Sequence, residues 1–211
     1  MSLLTRTYWS AYLAWHLRGQ ARYSFQPMET ILGDQARRVQ TMVAYAYRYV
    51  PYYRETMDRL GLCPADLRSA ADLARLPVIE RQDLQRDPER FLSTAQPAER
   101  YLRIRSGGST GAPCTVYHST DALFQNAAHG ERERSIYTRL LGKRYGYRET
   151  VIASPLGTAS EVQRHCRQHA LFPAGLRVKR QYLSLLDPPE ENCRHIRSFR
   201  PHVIHSYGSY L

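Results

Sequence analysis

"RIRSGGSTGAPCTVYH", Arg103 to His118, is the segment on which the reading of this chain turns. Six consecutive residues within it, Ser106 to Gly111, are all Ser, Thr or Gly. Before them, Leu102 and Ile104 alternate with Arg103 and Arg105, the period-2 pattern of a half-buried strand. After them, Cys114 to His118 is β-branched and aromatic enough for a second strand. The segment is expected to form two antiparallel strands joined by a poorly ordered turn. Glycines permit positive φ, so successive backbone N–H groups can face one concavity and hold an anion. Ser and Thr add neutral donors. Gly and Ser also dominate ordinary hairpin turns, so composition alone leaves both readings open.

Two familiar phosphate motifs are excluded. A Walker loop needs Gly-Lys followed by Ser or Thr, and here Gly142-Lys143 is followed by Arg144. A dinucleotide fingerprint needs G-x-G-x-x-G, a spacing that Gly107, Gly108 and Gly111 do not have.

Downstream of the loop the periods alternate. Ser119, Thr120 and Asp121 can cap a long helix ending near Leu141, with Gly142 behind it. "TVIAS" reads as a buried strand, Ser160 and Glu161 open a helix to about Leu171, and "LRVKRQYL" is strand-like. Asp187, Pro188, Pro189 and Glu190 start another helix, with Cys193, Ile196 and Phe199 expected inward. "HVIHSY" closes as a strand. Strand, helix, strand, helix, strand at this spacing predicts a parallel βαβ sheet with right-handed crossovers.

Upstream the chain is helical and rich in Tyr and Arg. Residues 3–17 place Leu4, Tyr8, Tyr12 and Trp15 on one face, predicting an amphipathic helix that packs through them on protein rather than lipid. Residues 18–33 read as a connection. A second helix is expected from near Asp34, with Val39, Val43, Ala46 and Val50 at steps of four, three and four; Pro51 ends or kinks it, and a short helix continues to Leu60 before Gly61 closes it. Ser69 with Asp72 is a cap-like pair stopped by Pro77, and "ERQDLQRDPERFL" is a polar surface segment.

The bulk numbers set limits. A chain of 211 residues with 43% hydrophobic content supports one large domain or two small ones. Thirty Lys and Arg against 19 Asp and Glu give a net charge of +11, which favours anionic partners or a solvated basic surface. Cys63, Cys114, Cys166 and Cys193 form no C-x-x-C, and no signal peptide precedes them, so a cytoplasmic protein with reduced thiols is expected. No apolar run is long enough to span a membrane. His165, Cys166, His169, Cys193 and His195 do not have zinc-ligand spacing, and no metal site is assigned to them.

"SGGSTGAP", Ser106 to Pro113, resembles the phosphate-binding loop of adenylate-forming enzymes: a hydroxyl residue, S-G, a second hydroxyl residue, then T-G-x-P. "AYRYVPYYRETMDRLGL" followed by "DLARLPVIERQDLQ" is similar to the front of the phenylacetate–CoA ligase family and its capsular-polysaccharide-biosynthesis relatives. The ending "FRPHVIHSYGSYL" is similar to their "P-x-v-i-x-x-Y-P-S-x-L" segment. The three segments occur in the family's order from about residue 37 to 211.

The resemblance implies an α/β protein in two parts. Residues 1–33 are an N-terminal helix and connection, and residues 34–211 are the first part of the large adenylate-forming (AMP-binding) domain. It implies MgATP-dependent conversion of a carboxylate to an acyl-adenylate, usually followed by transfer to the thiol of CoA. Ser106, Ser109 and Thr110 would donate hydroxyls to the ATP phosphates, with Gly107, Gly108 and Gly111 shaping the loop. Ala112 stands where many relatives have Lys, and Gly107 where a second Ser is common, which implies weakened phosphate binding. The family's downstream segments, which carry the ribose-holding Asp and the catalytic Lys, have no counterpart here. The chain is therefore expected to be truncated relative to the family and incomplete as a catalyst alone. The rival readings are a non-catalytic remnant, or a split-enzyme half that binds a protein partner. A basic nucleic-acid binder is a third reading, supported by charge alone.

Overall fold

The computed structural model describes residues 2–105, 114–154, 158–171 and 178–208, with residues 158–160 described in backbone only. The chain divides into two compact units, residues 25–120 and residues 1–24 with 121–211.

The first unit begins with α3 (Met28–Tyr49), following α1 (Leu3–Leu17) and α2 (Gln20–Tyr23) of the other unit. α3 starts six residues before the expected Asp34, behind Pro27 and with Glu29 in its first turn. Pro at a helix start loses no hydrogen bond there, and the Glu charge suits the N-terminal dipole. Asp34 lies inside the helix and pairs with Arg37 and Arg38. Pro51 does end the helix, and α4 (Pro51–Arg59) follows at an angle set by extended Val50. Val43, Met57 and Leu67 form the core of this unit, with Val39, Tyr47, Leu62 and Leu76 packed on it. Asp72 accepts from the backbone N–H groups of Arg68 and Ser69 and from the Ser69 hydroxyl, holding a short 3-10 turn before Pro77. Those donors, the Ser69 hydroxyl first, keep the Asp72 carboxyl below its usual range. α5 (Arg81–Arg86) is capped by Glu80 and Asp83.

The unit ends in the hairpin β1 (Leu102–Arg105) and β2 (Thr115–His118), antiparallel as expected, with Arg105 opposite Thr115 and Leu102 opposite His118.

The second unit carries α6 (Thr120–Leu140), β3 (Arg148–Ala153), α7 (Thr158–His169), β4 (Lys179–Ser184), α8 (Pro189–Phe199) and β5 (Val203–His205). The three strands are parallel, in the order β4-β3-β5. Glu149 of β3 is fully buried and accepts from Arg180 Nε of β4 at 2.7 Å and from the Tyr137 hydroxyl of α6 at 3.2 Å. Beside it the buried Thr150 hydroxyl donates to Gln181 at 2.9 Å. Two cross-strand polar contacts thus fix the register of a sheet whose strands are short.

α1 is helical as expected, but of the expected face Leu4, Tyr8, Tyr12 and Trp15 only Tyr12 packs inward. Trp9, Tyr12 and Leu13 pack on Phe124, Cys166 and Ala170, whereas Leu4, Tyr8 and Trp15 are 83%, 60% and 65% exposed. The buried face also carries the polar clasps: Arg6 donates to the Ala170 carbonyl, and the Leu171 N–H donates to the Ser10 hydroxyl at 2.8 Å. A second correction concerns α8. Cys193 is exposed, and the inward position belongs to Asn192, whose side-chain amide donates to the Ser184 carbonyl at 2.9 Å. That carbonyl lies at the end of β4, so the helix is tied to the sheet by a hydrogen bond where an apolar contact was expected.

Candidate functional site

The predicted loop residues Ser106, Gly107, Gly108, Ser109, Thr110 and Gly111 lie outside the described residues. What frames them is described. Partners in an antiparallel pair share a face, so Arg103 sits with Tyr117 and Arg105 with Thr115. The opposite face turns Ile104 into the protein, 2% exposed. Pairing of Arg105 with Thr115 holds the two ends of the intervening segment about 5 Å apart. Cys114, at the returning end, is buried.

Electrostatically the hairpin is one-signed. Its eight strand residues include two guanidiniums and no carboxylate. Arg103 and Arg105 are exposed, and among the described residues neither guanidinium has a hydrogen-bond or ion-pair partner. A strand that leads two unneutralised cations to the mouth of a hydroxyl- and glycine-rich segment suits a polyanion.

A second place in the molecule, in the other unit, has a ligand-site geometry that the sequence did not reveal. In open parallel sheets ligands sit outside the carboxyl ends of the strands, where the connections diverge. β3 leads through α7 to β4 on one side, and the chain returns through α8 to β5 on the other. The carboxyl ends of β3 and β5 therefore flank a switch point, at Ala153–Ser154 and His205–Ser206. There the Ser206 hydroxyl is buried and has no hydrogen-bond partner among the described residues. The His205 ring meets Tyr137 edge to face at 5.8 Å. A buried hydroxyl without a partner costs about 1–3 kcal/mol, which a ligand acceptor or donor would recover. The only hint in the sequence was a strand running directly into "SYG".

The residues weighed for zinc are apart in role. His165 and His169 stack at 3.8 Å on α7, Cys166 lies in the core beneath them, and His195 on α8 faces Glu191. Among the described residues no group of three or more His, Cys, Asp or Glu could hold a metal ion, and no helix is long and apolar enough to cross a membrane.

No family model matches the chain. It is 37% identical over 98 residues to a phenylacetate–coenzyme A ligase of Thermus thermophilus, a match covering 46% of this chain and 22% of that one. A phenylacetate–coenzyme A ligase of Aromatoleum evansii is 39% identical over 97 residues, covering 43% of this chain and 22% of the relative. The fold matches 2-hydroxyisobutyryl-CoA ligase solved with 2-HIB-AMP and CoA in the thioesterification state. There the TM-score is 0.64 at 21% identity, over 90% of this chain and 39% of that one. An open conformation of that ligase, also with 2-HIB-AMP and CoA, matches with a TM-score of 0.63 at 19% identity, over 90% of this chain and 43% of the other. These matches thus span about a fifth of the length of the curated relatives. Over the matched segment the chain is similar to part of these phenylacetate–coenzyme A ligases, and over most of its length it shares the fold of part of 2-hydroxyisobutyryl-CoA ligase.

Proposed function

We propose that this chain supplies the nucleotide-phosphate-binding part of an ATP-dependent ligase that activates a carboxylate as acyl-AMP for transfer to the thiol of CoA. The observation that carries the reading is the β1–β2 hairpin, whose strand brings the exposed Arg103 and Arg105, without an ion pair among the described residues, to the start of Ser106–Gly111 in a chain similar to CoA ligases. Adenylation places new negative charge on the departing pyrophosphate. Donors already oriented toward it lower the barrier more than mobile ones, because nothing must reorganise as charge develops. Ser106, Ser109 and Thr110 would donate their hydroxyls to phosphate oxygens. Gly107, Gly108 and Gly111 would let the backbone approach. Arg103 and Arg105 would hold the anion in register.

Among the described residues the hairpin strands have no carboxylate, and no group of three or more His, Cys, Asp or Glu could hold the metal. No step is assigned through Mg²⁺.

The switch-point edge at Ser154 and Ser206, in the other unit, is by itself a second candidate place for a polar ligand. The neighbours' complexes with 2-HIB-AMP and CoA support a ligand of this chemistry. The test is ATP–pyrophosphate exchange with aryl and aliphatic carboxylates, on the chain alone and with the product of any adjoining reading frame. Carboxylate-dependent exchange in either supports the reading, and none in both overturns it.

A protein-binding module is the second reading. The exposed stripe Leu4, Tyr8 and Trp15 on α1 favours it. Failure to bind ATP together with capture of a protein partner through α1 would select it.

A further inference from the structure

Two chain reversals meet at the amino-terminal edge of the parallel sheet. α6 ends in a reversal with Gly142 at φ 64°, where the Lys143 N–H donates back to the Thr138 carbonyl at 3.1 Å. α8 ends at Arg200, whose φ of 51° is in the left-handed region that non-glycine residues seldom enter. Its carbonyl accepts from Arg148 Nε at 2.8 Å. β3 and β5 start side by side here in a reciprocal clasp. The His202 N–H donates to the Arg148 carbonyl at 2.8 Å, and the Arg148 N–H donates to His202 Nδ1 at 3.1 Å. The other ring nitrogen, Nε2, lies 3.4 Å from the ammonium nitrogen of Lys143.

That arrangement has one donor too many. A neutral imidazole has a single acceptor nitrogen, and a Lys ammonium only donates. With Nδ1 accepting from Arg148, Nε2 carries the proton and faces the ammonium donor to donor. Exchanging the tautomer moves the conflict to the Arg148 N–H, and protonating the ring makes both contacts donor to donor. The surrounding charge has one sign. Lys143, Arg144, Arg148 and Arg200 line the two reversals, and among the described residues none of them is paired with a carboxylate. Burial, then Lys143 and Arg148, hold His202 below the usual imidazole range, in keeping with a neutral ring.

We propose that Lys143, Arg148 and His202 form a binding site for a tetrahedral oxyanion, a phosphate or phosphate monoester. One oxygen accepts from His202 Nε2–H and from the Lys143 ammonium, converting the donor conflict into a bridge. The remaining oxygens face the Arg148 guanidinium. Two cations match a dianion, and three donors on separate segments suit a tetrahedral ligand better than a flat carboxylate. The site uses neither the Ser106–Gly111 segment nor the carboxyl ends of the strands, so it stands whether or not the chain binds ATP.

The test is NMR observation of the His202 ring nitrogens in the 211-residue chain, titrated with inorganic phosphate at constant ionic strength against chloride. A parallel titration uses adenosine 3′,5′-bisphosphate. The expected result is a saturable shift of the ring signals with phosphate and an upward move of the His202 titration midpoint. Lys143→Ala should weaken that binding about tenfold or more, with Lys143→Gln as the second variant and circular dichroism reporting the fold of both. Tighter response to the bisphosphate assigns the site to a phosphate monoester, and equal or tighter response to inorganic phosphate assigns it to the free ion. No saturable shift, the same shift with chloride, or undiminished binding in both folded Lys143 variants would overturn the proposal.

Discussion

Trp9 of α1 lies flat against Phe124 of α6, ring centroids 5.2 Å apart and planes 10° from parallel. Phe124 is fully buried, and the same contact gathers Tyr12, Leu13 and Val162 around Cys166 and Ala170. This stack is what ties the N-terminal helix to the α/β unit. Phe124→Ala is expected to cost roughly 3–5 kcal/mol of unfolding free energy. Tyr8→Ser and Trp15→Ser, on the exposed stripe, should each stay within about 0.5 kcal/mol. Urea unfolding followed by circular dichroism checks both, and comparable losses on the two faces would refute the assignment of the packing face.

The contrast shows what could be read from the sequence and what could not. That residues 3–17 form a helix followed from composition, and the structure agrees. Which face it buries did not follow, because Leu4, Tyr8 and Trp15 make as good an apolar stripe as Trp9 and Leu13. The choice is made by Phe124 and by the clasps of Arg6 and Ser10, more than a hundred residues away. The parallel sheet was legible because its period changes sharply from helix to strand. Asn192 was not, since a buried amide satisfied by the Ser184 carbonyl has no sequence signature. Contacts such as Lys143 with His202 arise from two reversals meeting in space, and no local pattern announces them. The Ser106–Gly111 segment is the reverse case: its glycines and hydroxyls stand out in the sequence, and it lies outside the described residues.

Glu149 and Arg180 offer a test of the sheet. The carboxylate is inaccessible while the Arg180 side chain keeps 36% exposure, so removing the guanidinium strands a buried charge. Arg180→Ala is expected to destabilise by about 3–5 kcal/mol. Adding Glu149→Gln should restore part of that loss, a coupling that thermal or urea unfolding of the three variants reads directly. Additive losses would show that the pair does not act as one.

Acid should weaken the second unit through His165. Burial first, and His169 stacked on it second, lower its pKa from 6.5 to about 4. A depressed histidine favours the fold while neutral in both states, above pH 6.5. Between pH 6.5 and 4 the unfolded chain takes up a proton that the native ring refuses, so stability falls as pH falls through that window. Replacing the ring by His165→Gln should flatten this limb in a series of urea midpoints. An unchanged limb would assign the acid sensitivity elsewhere.

The central claim is that Ser106–Gly111 binds the phosphates of ATP, and calorimetric titration of the 211-residue chain with ATP tests it most directly. The account predicts saturable binding displaced by pyrophosphate. The double variant Ser109→Ala, Thr110→Ala should weaken it by about tenfold or more, because two hydroxyl donors to a charged ligand are lost. Absence of ATP binding, or full affinity retained in a folded double variant, would contradict it.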